Sequence, residues 1–212
     1  MGHKVNPISM RLQVNKDWRS KWFTASKREY ADWLQQDLSV RDLIEAKYAT
    51  RAVINKIDIE RAPNLVTVTV HTSKAGVVIG RGGSGAQELK ADIEKVFAKP
   101  VRLNIEEVKR PELASKLIAE NIARQLERRI NWRRAVKMSA QSTMAAGAKG
   151  IRIQLGGRLG GAEMSRREKE IQGSVPLHTL RADVDYHQAV AQMPNGGGTV
   201  GIKVWVYKGE VQ

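Results

Sequence analysis

The stretch Val77-Val78-Ile79-Gly80-Arg81-Gly82-Gly83-Ser84-Gly85 decides how the first half of this chain folds, because its glycines can be read in incompatible ways. Taken as Gly80-x-Gly82-x-x-Gly85 it is a dinucleotide-binding turn, with a helical pattern after it and Glu106 far enough downstream to reach a ribose. That turn needs a long buried strand directly before it and a second βαβ unit after it. Here a hairpin pattern precedes and no second unit follows, so a nucleotide-dependent oxidoreductase is the weaker expectation. A phosphate loop is weaker still, since it demands Gly-Lys followed by Ser or Thr and this loop has no lysine. Taken as Gly80-Arg81-Gly82-Gly83, the stretch is a G-x-x-G turn joining two short helices. Missing side chains let another backbone approach closely, amides at the next helix start favour phosphate, and Arg81 adds one charge. The plain alternative is a glycine-rich helix connection with no ligand.

The flanking patterns favour the G-x-x-G reading. Ser39 is placed to cap a helix carrying Val40, Leu43, Ile44 and Tyr48 to about Thr50. Val53 to Ile59 alternates, Ala62-Pro63-Asn64 turns, and Leu65 to His71 alternates again, which predicts a β-hairpin. After the glycines, Ala86, Leu89, Ile93 and Phe97 mark a helix, and Val101 to Ile105 a strand. The order α-β-β-(glycine loop)-α-β with Val78-Ile79-Gly-x-x-Gly83 is that of a KH module, which holds about four nucleotides of single-stranded nucleic acid against apolar walls.

On the N-terminal side, Trp18 and Trp22 are spaced as if on one helical face, with Trp33 beyond them. The arm before them, His3-Lys4-Val5-Asn6-Pro7 to Arg11-Leu12, is basic and broken by proline; it is expected to bury little and to order only against a partner. Beyond Pro111 a stripe at Leu113, Leu117, Ile122, Leu126 and Ile130 predicts one long amphipathic helix, closed by Ala145 to Gly150. Ile151 to Leu155, Leu180 to Tyr186 and Val200 to Tyr207 then alternate as strands of a small antiparallel sheet. The glycine-rich stretches 156–161 and 195–198 read as mobile loops. The expected division is an N-terminal arm and helix over 1–38, a KH domain over 39–108 and an α+β domain over 109–212.

Charge bounds the function. The 212 residues hold 36 basic and 22 acidic side chains, a net +14, and the 42% hydrophobic content still supplies a core. Residues 1–108 carry net +5 and 109–212 net +9, so the second half is the more strongly drawn to polyanions. No cysteine occurs, which removes disulfides, thiolate nucleophiles and sulfur-ligated zinc. No leader-like or membrane-length apolar run is read, so a cytoplasmic chain is expected. His3, His71, His178 and His187 lie in no metal-ligand spacing, no G-x-S-x-G elbow exists, and Asp183 and Asp185 read as an ion-pair row with Arg181 before they read as a nuclease pair. No enzyme, metal or cofactor is expected.

In the second half Arg129, Arg133 and Lys137 follow at i, i+4, i+8 with Arg134 one turn from Lys137, so one continuous helix would gather four cations on a face. Like charges at that spacing repel, and an external polyanion resolves the repulsion.

Several long blocks then place the chain. These are Gly2-His-Lys-Val-Asn-Pro7 with Arg11-Leu12, Val78 to Gly83, Arg133-Arg134-Ala-Val-Lys137, Gly157 to Glu163, Val175-Pro-Leu-His-Thr-Leu-Arg-Ala-Asp183, and Val204-Trp-Val-Tyr-Lys-Gly209. Together they resemble the family of bacterial small-subunit ribosomal protein number three, over nearly the whole chain. The resemblance implies a type II KH domain followed by an α+β domain. It implies a structural, RNA-binding constituent that holds 16S ribosomal RNA in the subunit head and messenger RNA at the entry channel, where it contributes to unwinding structured message. It assigns Gly80, Arg81, Gly82 and Gly83 to RNA, and Arg133, Arg134 and Lys137 to the incoming message. Lys4, Arg11, Arg129, Arg152, Arg158, Arg166, Arg167 and Lys169 are the candidate ribosomal RNA contacts. Implied neighbours are ribosomal proteins ten and fourteen, with four and five near the message. A free KH regulatory factor is the rival binding-class reading.

Overall fold

A computed structural model describes residues 4–48, 52–194 and 197–211. His3, the expected helix end at Thr50 and two residues of the 195–198 stretch lie outside the described residues. The chain forms two compact units, one of residues 18–109 and one of residues 1–17 with 110–212. The boundary thus falls before Trp18, and the arm belongs with the second unit and not with the helix that follows it.

In the unit of residues 18–109, the strands are β1 (Ser20–Lys21), β2 (Ile54–Arg61), β3 (Val66–Thr72) and β4 (Val101–Glu107), in the order β1-β2-β3-β4. β2 and β3 are antiparallel, and β3 and β4 are parallel. The helices are α1 (Lys27–Tyr48), α2 (Ala75–Ile79) and α3 (Ser84–Phe97). Val40, Ile44 and Tyr48 of α1 and Leu89, Ile93 and Phe97 of α3 bury one side of the sheet, meeting Ile57, Ile59, Val68 and Val70. The register slips between Ile54 and Lys56, and this bulge lets Ile54 and Ile57 both turn inward where strict alternation would separate them. Helices over an antiparallel hairpin with a parallel strand on either side make this an α+β unit.

Two local expectations change here. α1 begins at Lys27, twelve residues before Ser39; Ser39 is mid-helix, and its hydroxyl donates to the Gln35 carbonyl instead of capping. Trp18 precedes β1 and shares no helical face with Trp22. Trp22 instead donates its indole N–H to the buried Asp37 carboxylate at 2.8 Å, beside Arg61, which pairs with the same carboxylate and stacks over Trp33 and Phe97.

In the second unit, β5 (Gly150–Gly157), β6 (Arg166–Gly173), β7 (Ala182–Gln192) and β8 (Thr199–Glu210) form an antiparallel sheet in the order β6-β5-β8-β7. Helices α4 (Ser115–Glu127) and α5 (Trp132–Ala145) cover one face, packing Ile118, Ile122, Leu126 and Val136 on Ile151, Ile153, Leu155, Ile202 and Val204. The Asp185 carboxylate accepts from the Ser115 amide at 2.9 Å at the start of α4. β6 carries no apolar alternation, being a charged edge strand, and the sequence pattern misses it.

The stripe from Leu113 to Ile130 is not one helix. α4 ends in a Schellman turn: the Ile130 amide donates to the Gln125 carbonyl, the Arg129 amide to that of Leu126, and Arg129 takes a left-handed φ of 61°. Asn131 then caps α5, accepting from the Arg133 amide. Arg129 therefore shares no helix face with Arg133 and Lys137.

The arm is ordered by its own chain. Arg11 has no exposed surface. Its Nε donates to the Ala182 carbonyl at 2.8 Å, Nη1 to Pro7 at 3.1 Å, and Nη2 to Thr179 at 2.8 Å and Leu177 at 3.0 Å. Lys16 pairs with Asp183, and Asn15 donates to the carbonyls of Leu180 and Ala182. Asp183 pairs with Lys16 of the arm and Asp185 accepts from Ser115 at the start of α4, so the expected ion-pair row with Arg181 does not form.

Candidate nucleic-acid interfaces

The glycine turn joins two helices. α2 ends at Ile79, and Gly80, Gly82 and Gly83 take φ values of 73°, 60° and 82° that L side chains avoid. A Cβ at Gly82 or Gly83 would meet nothing within 4 Å, so these positions are open to an approaching backbone. Gly83 caps α3 without a side-chain hydrogen bond, which leaves the first turn of α3 facing outward with its positive dipole end. Arg81 is exposed beside it, and Val77 and Ile79, about two-fifths exposed, give the apolar wall of α2. Because the turn sits between helices and not after a strand, the dinucleotide reading does not fit.

The second interface is the start of α5. Arg133, Arg134 and Lys137 are exposed and make no ion pair with a carboxylate among the described residues. Two arginines in a first helical turn oppose the helix dipole, an unfavourable term of about 0.3–1 kcal/mol each. The Arg133 guanidinium lies 4.6 Å from the centroid of the Trp132 ring, with that of Arg166 at 5.7 Å. Beside them an open cavity of about 190 Å³ is lined by Val136, Ile153, Leu155, Glu168 and Glu170. That is below the roughly 300–1,000 Å³ of small-molecule sites, and the lining is suited to a side chain or a base.

The remaining cations divide. Arg11 is consumed by carbonyls and reaches no surface; burial pulls its pKa down, with Asp183 opposing. Arg158 turns its Nε to the Ala162 carbonyl at 2.9 Å. Arg166 pairs with Glu168 at 3.6 Å on the helix-covered side of β6. Arg167 and Lys169 point to the other side, as does Arg152, which stacks at 4.9 Å on Trp205. Lys4 is exposed in the arm. Lys203, which the sequence reading overlooks, stands beside Gln154 on β8, and the strict alternation of β8 was the signal that could have found it. Among the described residues no group of three or more His, Asp or Glu is arranged to hold a metal. His71 instead lies between Asp58 at 3.1 Å and Glu106 at 3.3 Å.

Comparison with known proteins agrees with both units. Residues 39–113 match the KH domain model, and residues 122–206 match the model described as ribosomal protein S3, C-terminal domain. The chain is 50% identical over 211 residues to small ribosomal subunit protein uS3 of Shouchella clausii, covering all of this chain and 94% of that protein. The chain belongs to the uS3 family. The uS3 protein of Listeria monocytogenes is 51% identical with the same coverage, and that of Alkaliphilus metalliredigens is 52% identical over 212 residues, with 89% of its length covered. As a uS3 protein the chain is a structural, non-enzymatic constituent of the small ribosomal subunit, a cytoplasmic particle in bacteria, with ribosomal RNA and ribosomal proteins as partners. The glycine turn of this uS3 chain lies inside the KH match, and α5 inside the S3 match.

Proposed function

We propose that the first turn of α5 grips the phosphates of incoming messenger RNA at the entry channel, and that the glycine turn clamps the backbone of 16S ribosomal RNA in the subunit head. The observation carrying the first part is a set of three exposed cations, Arg133, Arg134 and Lys137, left without carboxylate partners at the positive end of a helix. Such a turn costs the fold a little and is relieved by a polyanion. Single strands that thread past it are held by their phosphates, while Trp132 offers a ring face to an unstacked base. A duplex is resisted as translocation pulls the message through. Unwinding by this route is electrostatic; the ring and the cations break no bond.

For the glycine turn, the support is open space over Gly82 and Gly83 next to the uncapped start of α3. Within the subunit, proteins ten and fourteen are the proposed neighbours, with four and five beside the message. The experiment is ribosome translation with Arg133→Ala/Arg134→Ala/Lys137→Ala. Passage through a stable hairpin slows severalfold, and an unstructured message is read at the parental rate. Equal rates on both messages for variant and parent would overturn the reading.

A further inference from the structure

The helix-free face of the β6-β5-β8-β7 sheet has a composition that the entry helix does not explain. Strand registers set its side chains in rows. One row runs Lys169–Gln154–Lys203–Gln188, a second Arg167–Gly156–Gly201–Val190, and a third Ile171–Arg152–Trp205–Tyr186. Not one position in these rows is acidic. Lys169 and Lys203 stand two strands apart, about 10 Å at the usual strand spacing. None of Arg152, Arg167, Lys169 and Lys203 pairs with a carboxylate among the described residues, in contrast to Arg166 on the opposite face. The Arg152 Nε is buried against Trp205 without a hydrogen-bond partner.

The second row supplies the shape. Gly156 and Gly201 are direct cross-strand partners, so the middle of the face has no side chains. Neither glycine has a positive φ, and a Cβ would meet only the Arg167 Cγ at 3.7 Å from Gly156 and the Gly156 carbonyl at 3.7 Å from Gly201. The fold itself does not demand glycine at either place. Glycine inside a strand is one way to let a ligand or another backbone approach closely. A bare floor bordered by four unpaired cations matches a sugar-phosphate chain in both shape and charge, and it favours RNA over an apolar protein surface.

We infer that this face is a ribosomal RNA platform separate from the message-binding turn: the RNA backbone crosses the Gly156–Gly201 floor, with phosphates on Arg167, Lys169 and Lys203. The assignment rests on the ribosomal RNA reading above and divides the cations of the unit into two sets. Arg133, Arg134 and Lys137 serve the message; Arg152, Arg167, Lys169 and Lys203 serve the scaffold.

The test measures binding of the full chain to a transcript of the subunit-head ribosomal RNA across 50 to 200 mM salt. Three proteins are compared with the parent: Arg167→Ala/Lys169→Ala/Lys203→Ala, Gly201→Val, and Arg133→Ala/Arg134→Ala/Lys137→Ala. The sheet triple should bind at least tenfold more weakly, with a slope of log K against log salt shallower by about 2, since each lost phosphate contact removes roughly 0.7–0.9. Gly201→Val should weaken binding severalfold while melting with the parent, because its Cβ meets only an ordinary contact on an exposed position. The α5 triple should bind the transcript as the parent does. Parental affinity and slope for both sheet variants would overturn the platform, and would do so equally if those variants then failed to enter subunits, because the face would be seating a protein. A parent that does not bind the transcript contradicts the underlying RNA reading instead, so the two failures are distinct.

Discussion

Arg11 in the arm and Arg133 at the start of α5 carry the same guanidinium within one unit, and their surroundings are opposite. Arg11 has no exposed surface and spends its donors on the carbonyls of Pro7, Pro176, Leu177, Thr179 and Ala182. Arg133 is exposed, stacks on Trp132, and has no carboxylate partner among the described residues. The first ties a segment some 170 residues away into the fold; the second leaves at a helix start a charge that opposes the dipole and that a polyanion would relieve. A basic chain's capacity for nucleic acid is thus measured by its unpartnered cations and not by its net charge.

The sharpest way to break this comparison is at Arg11. Arg11→Ala removes a buried guanidinium that donates to five carbonyls, so urea unfolding should show a loss of about 3 kcal/mol, with little recovered in Arg11→Lys, whose ammonium cannot match the planar fork. Next in size, removing Arg133, Arg134 and Lys137 together should make the salt slope for single-stranded RNA shallower by about 2. Over a fourfold rise in salt that is a factor of about 16, with stability kept or raised by up to about 2 kcal/mol, because two arginines that oppose the helix dipole are gone. Gly82→Asp extends the comparison to a site that works by backbone exposure. It places an acid where phosphate is expected, so affinity for a short single-stranded RNA should fall about tenfold, while a parental affinity would show that the turn is not a clamp.

The smallest effect concerns cations spent at the surface. Lys47 of α1 donates to Asp92 of α3 at 3.0 Å. This hydrogen bond holds the Asp92 carboxyl below its ordinary range, with Lys95 adding to it, and raises the Lys47 ammonium. The carboxylate's contribution is present above the unfolded pKa of about 4 and is lost as pH falls through the lower folded value. Comparing the parent with Asp92→Asn should therefore give a gap in melting temperature that is steady from about pH 5 to 8 and closes in acid. A gap that widened in acid would contradict the assignment.

What the sequence carried well was local. The hairpin, the G-x-x-G turn and the start of α5 are set by periodicities and caps a few residues long, and the KH order follows from them. What it carried badly was set from a distance. The arm reads as able to bury little because four of the five carbonyls that receive Arg11 lie 165 to 171 residues away along the chain. The break between α4 and α5 was hidden by apolar spacing that continues through Ile130, although Asn131 was a legible cap. β6 was missed because an edge strand facing solvent needs no apolar alternation, and Lys203 because one lysine between buried valine and isoleucine reads as an ordinary outward position. The sequence reading could name cations; sorting them by face required the register of four strands.

The account is tested most directly by measuring urea stability and salt-dependent affinity for single-stranded RNA on the same samples of Arg11→Lys and of the Arg133/Arg134/Lys137 triple alanine variant. It predicts a crossed result, with Arg11→Lys losing stability while its folded fraction keeps the parental slope, and the triple variant keeping stability while its slope flattens. Loss of stability in the triple variant together with an unchanged slope would contradict it.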